Sequence, residues 1–197
     1  MPAGLPTLHA TLLSLLLVPG AVLADQADYD DVGRLLRAGN PPAALARAET
    51  YLKDAPRDPQ MLFLRAVALQ DAGRSAEAMT AYAAITQAYP ELPEPYNNLA
   101  ALKAAQGQLQ EALVLLQEAL RVRPNYAAAL DNLGDVHARL ALRAWRESAG
   151  MDDTLRTRSA AKQARVSEAL AGTAPAVAAT RPAPAPVPPP LTPAAPR

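Results

Sequence analysis

Pro56, Pro90 and Pro124 recur every 34 residues, and Gly39, Gly73 and Gly107 keep the same interval. A period of that length, carried by the residue type that most restricts the backbone and the one that frees it most, means that one supersecondary unit is stamped repeatedly along the chain. A unit of this size cannot bury its apolar face alone. The copies must stack and bury it jointly, which leaves a long curved surface whose usual use is to hold another macromolecule.

Within each period the apolar residues fall at helical spacing. Leu62, Val67 and Leu69 in one copy, and Leu99 and Leu102 in the next, share one helical face, and the copies are rich in Ala, Leu, Glu and Gln, the better helix formers. Each copy reads as two short amphipathic helices. Asp58-Pro59 predicts an N-cap followed by proline at the first helical position, and Asn40-Pro41 and Ser75 precede the second helices in the same way. The periodic glycines end the first helices, where a left-handed residue is wanted. Ala66, Ala100 and Gly134 are expected to face Ala44, Ala78 and Ala112 and let the helices approach closely.

The register places Pro59, Leu62, Ala66, Leu69, Gly73, Ala78, Tyr82, Ile85 and Pro90 in one copy. It places Pro93, Tyr96, Leu99, Ala100, Gly107, Ala112, Leu116, Ala119, Leu120 and Pro124 in the next. This pattern resembles the tetratricopeptide repeat. Copies are assigned to about 25–58, 59–92 and 93–126, with a partial fourth at 127–148. The first is weaker, having Asp31 and Val32 where Leu and a small residue are expected, and the fourth fails at Ala141, where the turn glycine should stand. The resemblance implies an all-α fold: a right-handed superhelical solenoid of helix pairs whose first helices line a concave groove.

Carried over onto this chain, the groove residues are Phe63, Val67 and Gln70; Glu94, Asn97, Asn98 and Ala101; and Asp131, Asn132, Asp135 and Arg139. The resemblance further implies that Asn98 and Asn132 point away from the helix packing and bond the backbone of an extended peptide. The asparagine of the carboxylate-clamp subtype, which grips chaperone C-termini, is replaced here by Val67, Ala101 and Asp135, so a chaperone-tail receptor is not expected. The groove is neutral to acidic, which suits a neutral or basic segment of a protein partner. The chain itself is expected to be a monomer.

The ends differ in composition. Residues 1–24 carry the apolar run Leu12-Leu13-Ser14-Leu15-Leu16-Leu17-Val18, a break at Pro19-Gly20 and small residues up to Ala24, which reads as a secretory signal peptide cleaved after Ala24. The alternative is an uncleaved anchor, although the run is short for a permanent span. Residues 172–197 are rich in Ala and Pro and lack large apolar groups, so a disordered tail of polyproline II character is expected. Between repeats and tail, a long helix through Trp145, a stop at Gly150 and a last helix over 151–171 are expected, the last capping the solenoid.

Several chemistries lack their residues. Lys plus Arg and Asp plus Glu are 19 each, so the basic stripe that nucleic-acid binding needs is missing. His9 and His137 are the only histidines and there is no cysteine, which removes Ser-His-Asp and Cys-His catalysis and any His/Cys zinc site. Asp131 and Asp135, four apart on one helix face, read as a polar groove wall rather than a metal or acid–base pair. No cofactor, no metal, no catalytic residue and no membrane span after cleavage are expected. The sequence thus points to a non-enzymatic interaction scaffold or adaptor of the bacterial cell envelope, periplasmic or secreted. The alternative is a structural envelope protein whose solenoid is a spacer and whose Pro-rich tail, or the arginines Arg156, Arg158 and Arg165, contact cell wall or lipid.

Overall fold

A computed structural model describes residues 20–171, with side chains placed from Gln26 onward. The expected signal peptide, apart from its last five positions, and the expected disordered tail at 172–197 lie outside the described residues. Among those residues the chain forms only helices: α1 Gly20–Arg37, α2 Pro41–Asp54, α3 Pro59–Asp71, α4 Ser75–Ala88, α5 Pro93–Ala105, α6 Leu109–Val122, α7 Ala127–Met151 and α8 Asp153–Ala171.

The turn within each repeat has one construction. Gly39, Gly73 and Gly107 take φ of 70°, 75° and 76°. After α3, the Gly73 N–H donates to Gln70 O and the Arg74 N–H to Leu69 O, and the same pair of bonds follows α1 and α5. This is the Schellman arrangement, which satisfies carbonyls that the helix end leaves open. The starts follow the sequence at two places: Asn40 accepts from the Ala43 N–H and Asp58 from the Met61 N–H. At α4 the expectation is corrected. Ser75 is already the first helical residue and Arg74 stands at the cap, its guanidinium held bidentately by Glu77 at 2.7 Å for each bond.

Packing follows from the small residues. Ala44, Ala66, Ala78, Ala100 and Ala112 are all fully buried, so each pair closes over alanine and the helices come near. First helices touch across two of the three repeat junctions, α1 against α3 and α5 against α7 but not comparably α3 against α5, whereas no comparable contact joins α2 with α4 or α4 with α6. The first helices therefore form the inner, concave layer and the second helices the outer one.

The fourth unit departs from the period. With Ala141 in place of a turn glycine, α7 runs 25 residues, one past Gly150. Asp152 then starts α8 by accepting from the Thr154 N–H at 2.8 Å. Among the described residues the last helix packs chiefly on α7, with the Ser148 and Ser159 hydroxyls 3.0 Å apart and the Lys162 ammonium 5.5 Å from the Trp145 ring centre. That antiparallel register brings Ala171 to about the level of Val136. The second half of α7 is covered, while Leu130 is 49% exposed and a Cβ on Gly134 would meet nothing within 4 Å. The expected burial of Gly134 against a small partner is thereby corrected: no helix lies across it among the described residues.

The two kinds of glycine predict opposite outcomes. Gly73→Ala forces a side chain into the left-handed region and should lower stability by about 1–2 kcal/mol. Gly134→Ala, in a straight helix with open space above it, should raise stability by about 0.5–1 kcal/mol. Urea unfolding of the two variants measures both signs.

Candidate partner-binding groove

The concave layer holds the eleven residues that the sequence nominates, and it treats them in three ways. Phe63, Val67 and Ala101 form an apolar floor and are buried; the Phe63 ring packs 5.9 Å from that of Tyr82 on α4. Glu94, Asn97, Asn98 and Asn132 are buried polar groups. The solvent-facing wall is left to exposed Asp131 and half-buried Gln70, Asp135 and Arg139.

The buried polar groups satisfy one another. Asn132 Nδ2 donates to Asn97 Oδ1 at 2.8 Å, and Asn97 Nδ2 donates to Asn98 Oδ1 at 3.3 Å. Asn98 Nδ2 then donates to the Tyr82 hydroxyl at 3.1 Å, and that hydroxyl donates to Gln70 Oε1 at 3.1 Å. One directed ladder thus runs from α7 through α5 and α4 to α3. It corrects the expectation for the asparagines: with Asn98 4% and Asn132 5% exposed, they face into the packing and their amide N–H groups are engaged inside the protein.

Glu94 is likewise internal. Arg123, at the end of α6, approaches it at 2.7 Å while lying 5.2 Å from the Tyr126 ring centre. Arg139 reaches across to the Ala104 carbonyl at 3.5 Å. Tyr82 and Arg123 are the functional neighbours that the groove assignment missed. Each stands on a second helix or its C-terminal cap, so a list built from first-helix positions passes over them.

Electrostatics favour the ladder as drawn. Burial raises the Tyr82 hydroxyl well above its ordinary pKa, and the Asp71 charge adds to that against the opposing pull of Asn98. The hydroxyl thus remains a donor at any physiological pH. At the first repeat, burial chiefly, with the bond to Asp58 behind it, does the same for Tyr29, whose hydroxyl donates to Asp58 Oδ2 at 2.5 Å. Among the described residues there is no cluster of three or more metal-ligating side chains, and no helix is long and apolar enough to cross a membrane.

The ladder predicts a stability effect where a peptide-binding asparagine would show none. Asn132→Ala leaves Asn97 Oδ1 buried without its donor, which should cost about 1–3 kcal/mol. Asp131→Ala, one residue away on the exposed side, should stay within about 0.5 kcal/mol of the parent. Thermal or urea unfolding monitored by helical circular dichroism separates them.

Comparison with known proteins bears on this geometry. Residues 34–93 match a family model described as tetratricopeptide repeat, and residues 102–140 match a second described as TPR repeat. No curated protein matches the chain. Solved structures that share the fold include the following three. The first TPR of Spaghetti (RPAP3) bound to the HSP90 peptide SRMEEVD superposes with a TM-score of 0.54 at 19% identity, over 59% of this chain and 92% of that one. MamA gives 0.52 at 18% identity, over 75% and 88%. A Thermobaculum terrenum O-GlcNAc transferase gives 0.55 at 22% identity, over 64% of this chain and 26% of that one. With the 34-residue period, the three glycine turns and the paired helices in place, the chain belongs to the tetratricopeptide repeat family.

Proposed function

We propose that the chain is a non-enzymatic interaction scaffold of the bacterial cell envelope, and that it holds an extended neutral or basic protein segment against its concave face. The observation that carries this reading is the sign of the accessible wall. Asp131 is exposed and Asp135 half-buried on the same face of α7, while Arg139, the cation beside them, leans on the Ala104 carbonyl. With the floor sealed by Phe63, Val67, Ala101 and the asparagine ladder, a partner meets this wall and not the side chains beneath it. Charge complementarity of this kind sets partner choice and association rate. The solved relative that holds SRMEEVD shows that the fold can seat a peptide. An acidic peptide is opposed here, because Asp135 occupies one of the clamp-asparagine positions and Val67 and Ala101 the others.

The envelope address rests on the composition of residues 1–24. Removing them leaves Asp25–Arg37 as the first helix, the same length as α3 and α5 at 13 residues each, so cleavage after Ala24 trims the chain to the repeat frame. The mature protein purified from its native host should begin at Asp25 by N-terminal sequencing. Retention of Met1 in the soluble pool would overturn the envelope address.

The binding mode is tested by charge reversal. Asp131→Lys with Asp135→Lys replaces attraction by repulsion and should reduce capture of the principal partner from an envelope fraction about tenfold, roughly 1.4 kcal/mol, with the fold unchanged. If that variant captures as the parent does while reversal of Arg156, Arg158 and Arg165 abolishes association, the spacer reading replaces this one.

A further inference from the structure

The outer face carries a cavity of about 470 Å³ between α3 and α4, roofed at one end by the loop that joins α2 to α3. Its floor is Leu62 with Ala81, Ala84, Ile85 and Ala88, and Arg57 and Arg65 stand in its wall. The Tyr89 hydroxyl donates to the Arg57 carbonyl at 2.5 Å and fixes the loop against α4.

The 34-residue period shows how the lining of this cavity differs from the corresponding positions of the third repeat. One period later the equivalents of Leu62, Ala81 and Ala88 are Tyr96, Leu115 and Val122, all larger. Arg65 stands where the third and fourth units have Leu99 and Leu133, and Arg57 where the third has Glu91. Ile85 runs the other way, with Ala119 as its equivalent, so the second repeat has alanine where the third has Leu115 and Val122, a larger residue at Ile85, and two added cations.

The cations are available. Glu77, which Arg65 influences, is held below the usual carboxylate range chiefly by Arg74, and both of its oxygens bond Arg74. Neither Arg57 nor Arg65 forms an ion pair among the described residues.

We propose that this cavity is a second binding site, separate from the concave groove, for a small amphipathic carboxylate. The alkyl body lies over Leu62, Ala81, Ala84 and Ile85, and the carboxylate meets the guanidinium groups of Arg57 and Arg65. The volume falls in the range of small-molecule sites, whose walls are mostly apolar with a few polar groups that fix orientation. Guanidinium is the side chain best matched to a carboxylate's paired oxygens. The site does not depend on the groove reading.

Calorimetric titration of the full chain with decanoate below its micelle concentration tests it, with decyltrimethylammonium as the same tail bearing the opposite head. One saturable decanoate site is expected, with no binding of the ammonium. Arg65→Leu and the cavity-filling pair Ala81→Leu with Ala88→Val should each weaken decanoate at least about tenfold. All three install residues that the third repeat already carries. In the unaltered protein, amide shifts on adding decanoate should centre on Ile85 and Tyr89. Equal binding of the two amphiphiles, parental affinity in both variants, or shifts centred on the concave face would each overturn the site.

Discussion

Close approach of helices over alanine is the constraint from which the remaining structure follows. Ala44, Ala66, Ala78, Ala100, Ala112 and Ala119 expose nothing to solvent, and at such crossings an added methylene forces backbone shifts that cost about 1–3 kcal/mol. Tight pairs bring the first helices of successive repeats into contact, α1 with α3 and α5 with α7. Between α3 and α5, where no comparable contact is made, Tyr82 of α4 bonds both helices and completes the floor of the concave face. Polar groups placed on that floor then have no water to bond and must find partners among themselves, since a buried amide left alone costs about 1–3 kcal/mol.

The asparagine ladder is the result, and its position gives it a second role. The apolar core divides into one cluster centred on the first two repeats, which contains Tyr82, and another over α5 to α7, which contains Ala100, Ala129 and Val136. The ladder leaves the first cluster at Tyr82, crosses α5 through Asn98 and Asn97 and ends on Asn132, beside the second. In a solenoid, stability is the sum of each repeat and its interfaces with its neighbours. A directed chain of hydrogen bonds demands mutual register and adds a geometric condition to an interface that apolar contacts alone would satisfy in several ways.

Much of this was legible in the sequence. The period placed the repeat boundaries, the left-handed glycines, the caps at Asn40 and Asp58 and the long α7, because each of these is decided by residues within one or two turns. What was not legible depended on distances between elements. That Asn98 lies on the first helix of its repeat follows from spacing; whether its side chain meets water depends on how far α4 and α7 stand away, which the buried alanines decide. Gly134 was misplaced for a related reason. Its expected partner, Ala112 on α6, is fully buried while Gly134 is exposed, and the register of α8, fixed by Asp152 and the Ser148–Ser159 contact, leaves that position uncovered. Arg65 was legible as a departure from leucine, but only the cavity beside it shows a consequence.

Zero net charge conceals local patches of one sign. The inner wall presents Asp131 and Asp135, the outer cavity presents Arg57 and Arg65, and α8 exposes Arg156, Arg158 and Arg165. Each packed helix layer adds about 8–10 Å, while exposed charges at physiological salt are screened over about 8 Å. The inner and outer faces of the solenoid therefore act as separate electrostatic surfaces. The negative charge of Asp131 and Asp135 on the inner wall therefore need not oppose the positive charge of Arg57 and Arg65 beside the cavity.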